Sequence, residues 1–308
     1  MRDPRVVLLA GGTGGAKLAV GLQAELPDQH LTVIANTADD VDFWGLRISP
    51  DLDSVLFRLG GIFNEEAGFG VVGETFNTHS QMKLLGAPDW FWLGDRDLAF
   101  HLIRSDLLRS GRRPSEVALE LGRRLGLLSQ VLPMSDDEVR TIFETKQGRL
   151  GFQEFFVREK LRPEMLGYVF EGAAAARPSP EAAAALAAAQ LVIIGPSNPL
   201  ISIGPLLEVL GSHLERERTV AVSPLVGGRA LKGPTAEMLI KARGAATPEV
   251  VAREYSRVAR GFVLDKVDSD GAAQIAALGY RVAVTDTVMA DREAARRLAR
   301  EILGTWTS

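Results

Sequence analysis

The chain has 308 residues, 46% hydrophobic and 24% charged, which is long and apolar enough to bury a sizeable core and excludes a disordered chain. Its 35 Lys and Arg against 39 Asp and Glu leave a formal charge of −4, so no basic face for nucleic acid is expected, and an anionic ligand must be held by local geometry. It has no cysteine, which excludes disulfides, thiolate catalysis and Cys-ligated zinc, and none of its four histidines stands in H-E-x-x-H spacing.

The apolar run before Gly11 is too short for a signal peptide and leads into glycines. No run of about 18 apolar residues occurs, so no membrane span and a cytoplasmic location are expected. Arg5 to Ala10 reads as a buried parallel strand, Gly11 to Gly15 as a turn, Ala16 to Glu25 as a helix, and Leu31 to Ala35 as a second strand. This βαβ opening predicts an α/β fold built on a doubly wound parallel sheet. Residues 46–168 read as a largely helical insertion, with helices at Arg96–Ser110 and Pro114–Leu125. Short strands near Val131, Arg140–Glu144 and Gly151–Val157 form its small antiparallel part. The Ala-rich stretch after Pro178-Ser179-Pro180-Glu181 reads as a plain structural helix. Strands return at Leu191–Ile194, Val220–Val222, Phe262–Leu264 and Arg281–Val284, with helices near Thr247–Val258 and Asp291–Ile302. Residues 1–45 and 169–308 then form the core.

Polar loops follow several of these strands. Gly11-Gly12-Thr13-Gly14-Gly15 opens a helix, where free N–H groups face an anion; it is neither a Walker P-loop nor G-x-G-x-x-G. The second strand ends in Asn36, not in the acidic residue that holds an adenosine ribose. Asp39, Asp40, Asp51 and Asp53 can converge on Mg²⁺ beside phosphate, with Asp51 equally explained as a helix N-cap. Asp95 and Arg96 follow the aromatic stretch Trp90-Phe91-Trp92; Arg96 can fork onto an anion, and the rings can stack on a flat ligand or simply pack. Ser197 and Asn198 follow another strand end and can donate to phosphate or a base; Lys232 either pairs with phosphate or is an ordinary loop lysine. These residues reach as far as an α/β enzyme that binds a nucleotide or phosphate ester, with Mg²⁺.

Read in order, the segments Ala10–Lys17, Asn36–Asp40, Ser49–Ser54, Leu93–Leu98, Leu132–Asp137, Phe152-Gln153, Gly195–Pro199 and Ser202-Ile203 resemble the 2-phospho-L-lactate transferase family of deazaflavin coenzyme F-420 biosynthesis. Ser54 stands where Thr is usual, and Leu225-Val226 replaces an Ile-Ile pair. The resemblance implies a modified Rossmann-like fold and a homodimer. It also implies transfer of a phospholactyl, phosphoenolpyruvyl or phosphoglyceryl group from a guanosine diphosphate-linked donor to the ribityl hydroxyl of the deazaflavin Fo, with GMP leaving. On this resemblance Asp39 and Asp53 hold Mg²⁺, and Asp40 and Asp53 are the catalytic carboxylates. Gly12, Thr13, Gly14, Gly15, Lys17, Ser197, Asn198 and Lys232 take the nucleotide side, while Trp92, Asp95, Arg96 and Met134 complete the ligand contacts.

Two rival readings compete. A sister family of nucleotide-sugar-binding regulators shares the glycine-rich start and the N-T-x-D-D loop but is not associated with G-D-R-D. A nicotinamide oxidoreductase lacks support from both the glycine spacing and Asn36.

Overall fold

Along Val6–Ala10, side chains alternate between two faces. Val6, Leu8 and Ala10 enter one apolar layer, and Val7 and Leu9 enter the other, so this strand must lie inside a sheet covered on both sides. The computed structural model describes residues 4–231 and 233–307.

The chain opens with β1 (Val6–Ala10), α1 (Gly12–Glu25) and β2 (Leu31–Ala35). A hairpin, β3 (Val41–Phe43) and β4 (Leu46–Ile48), leads to α2 (Pro50–Leu59), α3 (Asn77–Leu84), α4 (Asp95–Arg109) and α5 (Pro114–Arg124). Then come β5 (Gln130–Pro133), β6 (Arg140–Thr145), β7 (Gly148–Gly151), a π-helical turn at Glu154–Arg158, and β8 (Met165–Glu171). The remainder runs α6 (Pro180–Ala188), β9 (Leu191–Ile194), α7 (Gly204–Leu210), β10 (Thr219–Val222), β11 (Leu225–Val226), β12 (Arg229–Ala230), α8 (Thr235–Arg243), α9 (Pro248–Tyr255), β13 (Gly261–Asp265), α10 (Ala272–Ala277), β14 (Arg281–Thr285) and α11 (Arg292–Trp306). No helix among the described residues is long and apolar enough to cross a membrane.

Seven parallel strands form the central sheet in the order β14-β13-β10-β9-β1-β2-β5. Helices α1, α2 and α11 cover one face, through Leu18, Leu22, Leu56 and Leu298. Helices α6, α7 and α9 cover the other, through Leu186, Leu206 and Tyr255. The expected doubly wound α/β fold is therefore the observed one. The chain leaves β1 toward β2 and β5, then returns to its other side at β9. The strand order thus reverses between β1 and β9, and a ligand crevice opens where their carboxyl ends diverge.

Two elements differ from expectation. Val131 does not join the small antiparallel part; β5 pairs in parallel with β2 and ends the central sheet, because Val131 and Leu132 are both needed in the apolar layers. The antiparallel unit is β7-β6-β8. Of Gly151–Val157 only Gly151 is in a strand, the end of β7; the rest is helical, with a π-helical turn at Glu154–Arg158 that packs Phe155 on Phe143 at 4.4 Å between ring centres. Aromatic content alone does not separate these two backbones.

Candidate active site

The loops after β1 and β9 are packed backbone to backbone. A Cβ on Gly14 would lie 2.0 Å from the Pro196 carbonyl oxygen, so only glycine allows this approach. Gly12 adopts φ +67° at the start of α1, which begins at Gly12 rather than Ala16, and the N–H groups of the first turn are thereby aimed at the crevice. The resulting cavity of about 400 Å³ is lined by Gly12, Thr13, Gly14, Lys17, Ser197 and Asn198, with Phe152 and Phe156 opposite. Lys17 Nζ donates to the Met289 carbonyl at 3.0 Å and has no carboxylate partner among the described residues. Ser197 Oγ is buried without a hydrogen-bond partner. Asn198 is partly spent on its own loop, its Oδ1 accepting from Leu200 N at 2.9 Å. Gly15 lies behind the cavity, where a Cβ would be 2.8 Å from Ala10 Cβ. Lys232 lies outside the described residues, between the lining residues Leu231 and Gly233.

Beside this cavity lie the aspartates. Asn36 takes a structural part: its Oδ1 accepts from Ala38 N at 3.0 Å, and its Nδ2 donates to Asp51 Oδ2 at 3.1 Å. Asp51 faces the glycine loop, its Oδ1 3.8 Å from where a Cβ on Gly12 would stand, and it does not cap its own helix, whose N-cap is Ser49. Asp39 is sealed in place by Thr141 Oγ1 at 3.1 Å, and its backbone carbonyl accepts from Gln153 Nε2 at 3.0 Å. Burial first, and then the Asp51 charge, push the Asp39 carboxyl well above the usual range; burial raises Asp51 to about 6. Two desolvated carboxylates that disfavour each other's charge are a fit donor pair for a hard divalent cation. Among the described residues no group of three or more His, Asp or Glu has a geometry that could hold a metal, so the pair would need water or phosphate oxygens to complete a shell.

Asp53 sits elsewhere. Its Oδ2 accepts from Arg104 Nη1 at 2.9 Å, and its Oδ1 is held by Arg104 Nη2. Both oxygens of this nearly buried carboxylate carry the Arg104 guanidinium, and the carboxylate whose charge acts on Asp39 is Asp51, not Asp53. Asp40 accepts from Ser49 Oγ at 2.7 Å and is raised to about 7 by burial. It opens on a separate 300 Å³ cavity with Thr37 and Arg47, on the far side of Arg104.

Asp53 opens on a second large cavity of about 520 Å³. Its walls are Ile48, Phe57, Phe63, Phe91 and Trp92, and its polar end is Asp53, Asp97 and His101. Trp92 stacks on His79 at 5.0 Å. Gln153 and Val157 line this cavity while Phe152 and Phe156 line the one beside the glycine loop, so the π-helical segment is a wall common to both. Phe152 and Phe156 stack face to face at 4.3 Å.

Asp95, Arg96 and Met134, expected as ligand contacts, line neither cavity. Asp95 accepts from Asn77 N and Thr78 N, closing the start of α3. These bonds, and Thr75 Oγ1, hold its carboxyl below the usual range. Arg96 Nη1 donates to the Val72 carbonyl at 2.8 Å, while Glu74 accepts from the N–H groups of Arg96 and Asp97. The G-D-R-D segment is therefore a lock between the 62–76 loop and α4. Met134 is fully buried in the core. Asp97, His101 and Arg104 were not singled out as site residues. Their spacing of i, i+4 and i+7 on one helix face, polar where a core-facing side should be apolar, is the signal that finds them.

A sequence profile described as "2-phospho-L-lactate transferase CofD" matches residues 6–305. The chain is 38% identical over 300 residues to a 2-phospho-L-lactate transferase of Methanococcoides burtonii, covering 97% of this chain and 98% of that one. It is 37% identical to a phosphoenolpyruvate transferase of Streptomyces griseus, covering 97% of each. Among solved structures, a member of the UPF0052 family from Bacillus halodurans shares the fold with a TM-score of 0.59 at 16% identity, over 98% of this chain and 99% of that one. The chain belongs to the 2-phospho-L-lactate transferase CofD family.

Proposed function

We propose that this transferase moves a phospho-acid group (phospholactyl, phosphoenolpyruvyl or phosphoglyceryl) from a guanosine diphosphate-linked donor to the ribityl hydroxyl of the deazaflavin Fo, in F-420 biosynthesis. The observation that carries the reading is the shared wall. One cavity offers helix N–H groups and Lys17, the chemistry of a diphosphate; the other offers aromatic walls and a carboxylate, the chemistry of a flat ring with a hydroxylated tail. The segment 152–157 belongs to both, so a phosphoryl group in one lies next to a hydroxyl in the other.

Gly12 to Gly14 would orient the diphosphate, and Lys17 would offset the charge on the leaving GMP. Ser197 and Asn198 would border the nucleoside, with the Phe152–Phe156 pair as a flat face for its base. Trp92 and Phe91 would border the deazaflavin. Mg²⁺ would be held by Asp39 and Asp51, supplying charge neutralisation to the diphosphate. The homodimer and the cytoplasmic setting belong to the same proposal.

Titration of Fo fluorescence with the protein, with and without GDP and Mg²⁺, tests the reading. Saturable binding at micromolar Fo, followed by GMP release with one of the three donors, supports it. No Fo binding under any of these conditions would overturn it.

A further inference from the structure

Asp97, His101 and Arg104 share one side of α4, and that side meets α2 at Asp53. All three are buried, at 8%, 1% and 3% exposure. Stability alone does not call for them: an apolar contact of equal volume holds two helices as well as a buried ion pair does. Their contacts run in sequence. Asp97 Oδ1 lies 3.0 Å from His101 Nε2, and neither of these buried atoms is hydrogen-bonded elsewhere. His101 Nδ1 lies 3.5 Å from Arg104 Nη1, and Arg104 forks onto Asp53. Asp53, Asp97 and His101 open on the aromatic cavity, while Arg104 stands behind them.

We infer that Asp97, His101 and Arg104 are positioning residues that aim the Asp53 carboxylate at the acceptor hydroxyl as its proton acceptor. This rests on the transferase reading above. The Asp97 charge favours the proton on His101 Nε2, which leaves the Nδ1 lone pair for the second N–H of Arg104 Nη1. The guanidinium is then fixed from both sides, and its fork sets the plane of the Asp53 carboxylate. In the step, the hydroxyl O–H bond breaks and a new O–H bond forms on Asp53. The hydroxyl oxygen bonds to the transferred phosphorus. The bond from that phosphorus to the GMP phosphate oxygen breaks, and GMP keeps the electron pair. A carboxylate suffices, because a loose phosphoryl transfer asks little of its base.

Turnover of Asp97→Asn and Arg104→Lys against wild type is the test. We expect kcat to fall by about 10²-fold with KM for both substrates near wild type, since misaimed groups lose rate without losing binding. Values of kcat within about twofold of wild type, or kcat, KM and melting temperature falling together, would overturn the inference. Where Arg104→Lys does not fold, Asp97→Asn, which keeps the side-chain shape, decides. Where wild type itself transfers nothing, the transferase reading fails separately, and the ¹⁵N signature of the His101 ring decides the positioning chain. A proton on Nε2 in wild type that moves to Nδ1 in Asp97→Asn supports the chain, and an unchanged tautomer rejects it.

Discussion

Asp53 and Arg104 stand 51 positions apart and form a two-point ion pair between α2 and α4, with side chains 6% and 3% exposed. The pair ties the helix beside the glycine loop to the helix that walls the aromatic cavity. Removing one partner leaves a buried charge uncompensated. Arg104→Met is therefore expected to cost roughly 3–5 kcal/mol, and the double change Asp53→Leu with Arg104→Met much less. Urea unfolding of the three proteins checks this; equal losses in the single and double variants would reject it.

Gly14→Ala is expected to disable the cavity beside the glycine loop, where the proposal seats the nucleotide. Its Cβ would meet the Pro196 carbonyl oxygen at 2.0 Å, and backbone cannot yield as a side chain can. The loops after β1 and β9 must separate, and the N–H groups of the first helical turn lose their aim. GDP affinity should fall by about tenfold or more, the loss of one charge-assisted hydrogen bond or its equivalent. Calorimetric titration measures it, and wild-type affinity would show that the loops do not need to touch.

Arg113 gathers Glu116, Asp136 and Glu181, joining α5, the loop after β5 and the start of α6. Its guanidinium draws Glu181 down to about 2 from 4.5. A depressed carboxyl contributes stability that is present above pH 4.5 and is lost as pH falls toward 2. Arg113→Met removes that contribution. The stability gap between wild type and variant should be full at pH 6 and shrink as pH falls through 4.5 toward 2; urea midpoints along the series read it, and a constant gap would reject the pairing as its source.

The alternating apolar runs and the glycines made the sheet, its two faces and the tight glycine loop after β1 legible, because burial and positive φ leave a direct mark on residue choice. The polar loops misled where a charged residue served its neighbours: Asp95 and Arg96 read as ligand contacts, yet they close the 62–76 loop onto α3 and α4. Which aspartates meet was also illegible. Asp51 and Asp53 lie two positions apart at the start of one helix, where a step of two turns a side chain to another face. Asp51 thereby meets the glycine loop and Asp53 meets Arg104. His101 and Arg104 carried a readable signal in their helical spacing with Asp97, but only a partner on α2 gives it meaning.

The carboxylates Asp39 and Asp51 supply a last prediction. Burial raises Asp51 from 3.8 to about 6, so at pH 8 its charge costs the metal-free protein stability, and the cost is relieved as pH falls through 6 to 3.8. Asp51→Asn removes the charge and keeps one oxygen that can accept from Asn36 Nδ2. At pH 8 the metal-free variant should be more stable than wild type by about 2 kcal/mol. Added Mg²⁺ binds only the folded site, so it should raise the melting temperature of wild type and not of the variant. The two effects have opposite signs in one pair of proteins. Thermal melts with chelator and then with millimolar Mg²⁺ separate them. A variant that is less stable without metal, or that responds to Mg²⁺ as wild type does, would remove Asp51 from the proposed cation site and leave it a role in holding Asn36 alone.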